Sequence, residues 1–406
     1  MSKKLVQINV VCNGSTGRIM NQIQEEAINQ GWEAYSFFGR GNPANDNCFK
    51  TNNKLDILFH VLITRLFDKH GHGSKRATKK LVKQIEEINP DVIQLHNIHG
   101  YYIHLKTLFD YLKRCNKKIV WTLHDCWPFT GHCSYFTYPK CEKWKKECRK
   151  CIRKKDYPKS MFVDSSTKAF DLKRQLFTGI KNLTIVTPSE WLANLVRQSF
   201  LKEYEIKVIN NGIDLSVFKP TNTIDIRKKY NIPEDKKIIL GVAAVWDKRK
   251  GLKDFIELSK IIDNSYIIVL VGLNKKQIKK LPNNMIGITR TENVEELANF
   301  YTTAEILYNP SKEETFSLVT AEAIACGTPI VAYEDTAMVE IIQQGEKVLS
   351  TDVNNKFGEI IKENDIKTVY NKIKYFKNYS KENYVEYSKK YNKENKYKEY
   401  IKIYER

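Results

Sequence analysis

Nowhere in its 406 residues does the chain hold an apolar run approaching the roughly 18 that a membrane-spanning helix requires, so an integral helical membrane protein is not expected. An export signal is missing too: Met1-Ser-Lys-Lys leads only into Leu5–Val11, whose interrupting polar residues suit a first strand, and a cytoplasmic protein is expected. Nine cysteines, an odd number in such a chain, argue against a disulfide framework. No Asp-x-Asp pair occurs, which removes one common acidic holder of a divalent cation, and there is no internal repeat or recognisable nucleic-acid-binding module. Acids are scarce overall. Against 67 Lys and Arg stand 47 Asp and Glu, for a net charge of +20 that would attract anionic lipid, nucleotides or nucleic acid. Because the two signs are interspersed, much of that surplus reads as solvated surface.

What is present is a globular composition, 42% hydrophobic and 28% charged, in a chain long enough for two or three domains. Short apolar runs alternate with helical patterns throughout, the signature of parallel βαβ units. Leu5–Val11, Asp91–Leu95, Lys118–Leu123, Leu183–Thr187 and Ile206–Ile209 are predicted strands of the first half. Lys237–Val245, Tyr266–Val271, Met285–Ile288, Ile306–Asn309 and Pro329–Ala332 are those of the second. Asp214–Asp235, polar and bounded by Pro220 and Pro233, reads as a linker. The predicted domains are therefore 1–216 and 217–380, followed by a helical tail at 381–406 with Tyr384, Tyr387, Tyr391, Tyr397 and Ile401 at its apolar positions.

The clearest chemistry lies in Tyr308-Asn-Pro-Ser-Lys-Glu-Glu-Thr-Phe-Ser-Leu-Val-Thr-Ala-Glu322-Ala-Ile-Ala-Cys-Gly327-Thr-Pro. A strand should leave the core at Asn309-Pro310-Ser311, and Phe316–Cys326 should form a helix stopped by Gly327 and Pro329. Glu314 and Glu322 then stand roughly 12 Å apart if the span is helical. They cannot share one substrate atom. They can grip two ends of an elongated ligand, with the amides of Phe316, Ser317 and Leu318 offered to an anion between them. A nucleotide-sugar has that layout.

The Glu-x7-Glu pattern, set in Pro-Ser-x-x-Glu-x-Phe and Glu-Ala-x-Ala-x-Gly-x-Pro, resembles the signature of the family 4 retaining glycosyltransferases. The resemblance implies the α/β GT-B fold, two Rossmann-like doubly wound domains facing a central cleft, with the donor on the C-terminal domain and the acceptor on the N-terminal one. It implies that Glu314 meets donor-sugar hydroxyls, that Glu322 meets the ribose, and that the last helix returns to the N-terminal domain. Ser317 departs from the family, which usually has Gly there.

Further motifs complete the expected site. Lys248-Arg249-Lys250-Gly251 follows a strand and opens a helix, a place suited to a diphosphate. By resemblance Lys250 binds the leaving diphosphate; Val245 stands where the family tends to have an arginine, and Arg249 is the candidate substitute. At the first strand-to-helix turn, Gly14 and Gly17 let backbone approach phosphate or sugar, and Arg18 follows them. His124, at the end of Lys118–Leu123, matches a histidine that family members place against the donor sugar, with Asp125 as its orienting partner; a structural His-Asp pair is the alternative. His96 and His99 end another strand and are expected to shape the acceptor cleft. Asn210-Asn211-Gly212-Ile213-Asp214 resembles the family's domain-junction turn.

Cys133, Cys141, Cys148 and Cys151 lie within nineteen residues among six Lys and Arg, and are read either as a structural zinc site or as free thiols. Leu55–Phe67 is apolar over thirteen residues and is followed by a basic segment; a buried core helix is the leading reading and an interfacial helix the alternative. Together these readings give a retaining glycosyltransferase that moves a sugar from a nucleotide diphosphate sugar to an acceptor hydroxyl, with no cofactor required for catalysis. The acceptor is expected to be a lipid-linked saccharide of bacterial surface polysaccharide (capsule or lipopolysaccharide) assembly, met at the inner membrane face through peripheral contact with anionic lipid. Another GT-B enzyme such as a nucleotide-sugar epimerase, and more remotely a nucleic-acid-binding protein, are the alternatives.

Overall fold

The computed structural model describes residues 2–342, 357–362, 365–377 and 381–406. It divides into two units, Met1–Asn210 with Lys396–Arg406, and Asn211–Asn395.

The first unit is built on a parallel sheet of β1 (Lys4–Val11), β2 (Glu33–Arg40), β3 (Cys48–Lys50), β4 (Val92–Leu95), β5 (Lys118–Thr122), β6 (Leu183–Thr187) and β7 (Glu205–Val208), in the order β3-β2-β1-β4-β5-β6-β7. Adjacent strand residues alternate between the two faces. Val6, Ile93 and Trp121 join one core cluster, while their neighbours Leu5, Val92 and Val120 join another with Ile19 and Ile23 of helix α1 (Gly14–Asn29). Coverage of both faces is what a parallel sheet demands. The strand order reverses between β1 and β4, so the loops leaving those two strands part and open a crevice at their carboxyl ends.

The second unit repeats the plan with β8 (Lys237–Val242), β9 (Tyr266–Val271), β10 (Met285–Ile288), β11 (Ile306–Asn309), β12 (Ile330–Tyr333) and β13 (Gly358–Ile361), in the order β10-β9-β8-β11-β12-β13. Here the reversal falls between β8 and β11.

The structure departs from the sequence reading at the domain boundary, the linker, the tail and the burial of one helix. The first boundary falls at Asn210 rather than 216. The expected linker Asp214–Asp235 is folded into the second unit: Phe218, Ile226 and Ile232 are buried in its core, and Asp225 caps the short helix Ile226–Tyr230. The tail is shared. Its expected start, at 380/381, abuts residues outside those described, but Tyr384, Tyr387 and Tyr391 pack into the second unit whereas Tyr397, Tyr400, Ile401 and Tyr404 pack into the first. A bridge between Ile213 and Asn392 and a Lys393–Asp214 ion pair of 2.6 Å fix the division. Finally, Leu55–Phe67 does form helix α2 (Lys54–Phe67), but its buried residues are His60 and Thr64, and its large apolar side chains face outward.

Candidate active site

In the second unit, the loops after β8 and β11 flank the point where strand order reverses. The β8 loop carries Arg249 and Lys250. Asp247 Oδ1 accepts both of their backbone amides, at 2.9 and 3.0 Å, closing the turn, and Gly251 then starts the helix Leu252–Ser259 with φ +74°. A side chain at Gly251 would meet Pro310 at 2.6 Å, so glycine alone allows this turn to lie against the β11 loop. That contact has a chemical result: the Lys250 ammonium ion-pairs with Glu314, and Arg249 donates to the Glu313 carbonyl at 3.0 Å. Burial drives the Glu314 carboxyl upward, but the charges of Lys250 and Arg249 outweigh it and hold the group below its ordinary range, ionised at neutral pH. Lys250 and Glu314, assigned from sequence to diphosphate and sugar respectively, thus hold one another. Val245 is exposed and supplies no second cation, while Arg249 does come to the site.

The helix after β11 spans Leu318–Ala325, shorter than expected, so Phe316 and Ser317 precede it. Phe316 is buried against Tyr391, with ring centroids 5.6 Å apart. Ser317 is the N-cap. It sits at φ 76°, left-handed backbone that favours glycine, which accounts for the family's preference at this position. The serine is held there because its Oγ accepts from the Thr320 amide at 3.3 Å and from Asn309 Nδ2 at 3.2 Å. Of the three amides expected to face an anion, only that of Leu318 belongs to the helix's first turn. Glu322 is buried one turn further in, where its Oε2 accepts from Tyr301 OH at 3.1 Å.

In the first unit, the crevice is lined by the loops after β1, β4 and β5. Gly14 is exposed, has φ +79° and opens α1, whose N-cap residue Asn13 donates to the Asn42 carbonyl instead of capping. Gly17 lies inside the first turn and is buried; a Cβ there would come within 2.5 Å of the Cys12 carbonyl carbon. Its role is the close approach of helix to strand, and Arg18, next to it, is exposed.

His124 departs from the expected pairing. Asp125 engages His99 at 2.8 Å and the Trp127 amide at 2.9 Å, while His124 Nε2 lies 3.1 Å from Nδ1 of His96, their rings stacked at 5.4 Å. His96 Nε2 in turn lies 3.1 Å from Gln7 Oε1, whose amide nitrogen donates to the Met20 carbonyl. An acceptor at Gln7 requires the proton on His96 Nε2, which leaves His96 Nδ1 as acceptor and places the His124 proton on Nε2. The acceptor nitrogen of His124 is then Nδ1. Burial pushes the His124 pKa down to about 4, so the ring is neutral in ordinary buffer.

The four clustered cysteines line one small cavity of about 20 Å³. Gly131 N–H donates to Cys148 Sγ at 3.2 Å. His132 lines the same cavity, its Nδ1 against Asp68 Oδ1 at 2.8 Å and its Nε2 buried without a hydrogen-bond partner. Among the described residues, however, no three Cys, His, Asp or Glu side chains already stand in metal-holding geometry.

Gln7, Asp247 and Tyr301 were not singled out in the sequence, and Asn309 was read there only as the end of a strand. Asp247 had a local signal, an Asx turn directly before the basic triplet. Tyr301 had none, because it reaches Glu322 from a different helix.

Two doubly wound parallel-sheet units, the second with a half-buried Lys-Glu pair where its strand order reverses, define a glycosyltransferase of the GT-B fold. Residues 17–217 match the family described as glycosyltransferase family 4 and residues 222–399 that described as glycosyl transferases group 1, and the chain belongs to this family. Among curated proteins it is similar to the glycosyl transferase WcaC of Escherichia coli (strain K12), named for colanic acid biosynthesis, at 23% identity over 85% of this chain and 87% of that one. It is also similar to the processive diacylglycerol alpha-glucosyltransferase of Acholeplasma laidlawii, at 28% identity over 45% of this chain and 57% of that one. Among solved structures, HepE of Anabaena in complex with UDP superposes with a TM-score of 0.66 at 14% identity, covering 99% of each chain.

Proposed function

We propose that the protein is a retaining transferase that moves a sugar from a nucleoside diphosphate sugar to a hydroxyl of a lipid-linked saccharide, in bacterial surface polysaccharide assembly at the inner membrane face. The observation that carries this reading is the Lys250–Glu314 pair at the strand-order reversal of the second unit. An arriving diphosphate competes with Glu314 for the Lys250 ammonium. Lys250, with Arg249 beside it, stabilises the charge that grows on the phosphate as the bond to the sugar breaks. Glu314, released from its partner, is left to accept from donor-sugar hydroxyls, and Glu322 with Tyr301 receives the ribose. His124, neutral with its lone pair on Nδ1, acts as a hydrogen-bond acceptor toward a sugar hydroxyl rather than as a cation. The names of WcaC and the diacylglycerol glucosyltransferase support the polysaccharide and lipid sides of this reading.

Catalysis is proposed to need no metal, since Lys250 takes the leaving-group charge. A structural zinc on Cys133, Cys141, Cys148 and Cys151 is a separate proposal, supported by their shared cavity and the orphaned His132 nitrogen; loading would turn the thiols inward. One experiment addresses both. Purified protein is assayed with a panel of nucleotide-sugars and a lipid-linked acceptor, with and without chelator, and the product anomer is read by NMR. Transfer that retains configuration and persists in EDTA is expected, with about one zinc per chain by metal analysis and a lower melting temperature after prolonged chelation. Inversion, epimerised donor in place of transfer, or activity lost to EDTA and restored by Mg²⁺ would overturn the catalytic reading; metal-free protein would overturn the zinc.

A further inference from the structure

Helix α2 is amphipathic with the usual sense reversed. Leu55, Leu58, Phe59 and Leu62 recur at the spacing of one helical face, and they are 75%, 65%, 59% and 51% exposed. On the opposite side the fully buried residues are polar, His60 and Thr64. His60 is locked there by hydrogen bonds on both ring nitrogens, Nδ1 with Ser74 Oγ at 3.1 Å and Nε2 accepting from the Gly71 amide at 3.0 Å. Gly73 is packed so closely on that ring that a Cβ would fall 2.4 Å from it. Thr64 Oγ1 bonds the His60 carbonyl at 2.8 Å. Rotating the helix to hide its leucines would break the contacts of His60 with Ser74, Gly71 and Gly73, so the outward apolar face is built in.

A second segment extends it. Met161, Phe162 and Val163 are exposed at 48%, 67% and 40%, and they are tied to the end of α2: the Met161 amide donates to the Arg65 carbonyl at 2.8 Å, and Ser165 donates from its hydroxyl to the Phe67 carbonyl and from its amide to Asp68. Phe67 itself is 52% exposed. A cluster of apolar side chains on this scale marks a contact surface.

The charge beside it says what the surface meets. Lys54, Arg65, Lys69 and Lys159 are exposed and form no ion pair with an acid among the described residues, and Lys154 Nζ lies 3.3 Å from the Phe162 carbonyl. Of the neighbouring acids, Asp68 is turned inward to His132 and Ser165, Asp164 accepts from the amides of Cys151 and Ser166, and Asp156 is paired with Arg153, which leaves Asp56 at the start of α2 as the acid beside the four cations. An apolar face with cations around it complements an anionic lipid surface. It does not complement itself, because a symmetric pairing of two copies would set the same cations against one another.

We propose that α2 together with residues 161–163 is a bilayer-docking surface that lies in the headgroup boundary of an anionic membrane. The surface is inferred from its own geometry; its use, delivery of the enzyme to a lipid-linked acceptor, rests on the function proposed above. The test is co-sedimentation of the full chain with vesicles of phosphatidylglycerol and phosphatidylcholine, and with phosphatidylcholine alone, at low and high salt. Binding should favour the anionic vesicles and weaken with salt. Leu58→Ser with Phe59→Ser, and separately Phe162→Ser, should each reduce binding at least about tenfold while thermal unfolding and UDP binding stay unchanged. Arg65→Gln with Lys69→Gln should weaken binding and flatten its salt dependence. Equal vesicle binding by wild type and the apolar variants, or no binding to anionic vesicles, overturns the proposal, as does a vesicle-free dimer that Phe59→Ser dissociates. Efficient transfer to a soluble saccharide with vesicle binding intact would instead remove the lipid-linked acceptor and leave the docking surface standing.

Discussion

The two units solve the same topological problem with opposite electrostatics. Each reverses its strand order beside its first strand, yet the second unit lines that crevice with an ion pair, Lys250 and Glu314, and the first with imidazoles that burial keeps neutral, His96 and His124. All eight histidines of the chain fall between His60 and His132, and the second unit has none. The topology therefore dictates where a site forms but not its charge, which is set by whether the loops deliver paired ions or stacked neutral rings.

The largest expected effect comes from breaking the charged half. Glu314→Gln should lower kcat by about 10²–10³ while nucleotide affinity holds or rises, because the diphosphate no longer competes with a carboxylate for Lys250, whereas Glu322→Ala should weaken UDP binding as well. Calorimetric titration with UDP, run beside steady-state kinetics, separates the two; wild-type turnover in Glu314→Gln would end the assignment.

Acid should break the neutral half next. His60 and His124 are pushed down by burial, to about 3 and about 4. A histidine depressed in the folded state contributes stability that is complete above its ordinary value near 6.5 and is lost as pH falls through 6.5 toward the folded value, because the unfolded chain takes the proton first. For His124 alone the loss is on the order of 3 kcal/mol when complete. Hydrogen exchange from about pH 7 down to about pH 4.5 should show protection vanishing in the first unit before the second. Simultaneous loss, or loss led by the second unit, contradicts the contrast between the units.

The smallest effect is expected at Ser317. Glycine there relieves left-handed backbone but removes the hydroxyl that caps Thr320, and the two changes oppose each other. Ser317→Gly should shift stability by less than about 1 kcal/mol in denaturant unfolding and leave transfer intact. A large loss would mean that the hydroxyl itself is needed at the site.

Much of this plan was legible in the residues. Leu183–Thr187, Tyr266–Val271, Met285–Ile288 and Ile306–Asn309 are strands with the predicted limits, because fully buried parallel strands must be short continuous apolar runs. β2 was missed since Ser36 and Gly39 interrupt its apolar run, and β3 because a three-residue edge strand carries too little pattern. At the site, Lys250 and Glu314 were found singly but their pairing was not, for it depends on the contact of Gly251 with Pro310. Partnership of His124 with His96 rather than Asp125 likewise follows from strand adjacency, since β4 and β5 are neighbours. The orientation of α2 was misjudged because its leucines and phenylalanines outweighed one histidine and one threonine in the sequence, whereas polar contacts beneath the helix decided which face turned in.

The shared tail bears on how such enzymes exchange parts. Because Lys396–Arg406 belongs to the first unit, with Tyr404 OH donating to Gln94 and Tyr397 OH to Gln22, the polypeptide passes between the units twice. A recombination event with a single crossover near Asn210 would join a new N-terminal half to a foreign closing helix, leaving Leu5, Val92 and Val120 under side chains that did not evolve to cover them. Productive chimeras of this architecture, natural or engineered, should therefore carry two crossovers, with the final helix inherited alongside the N-terminal half.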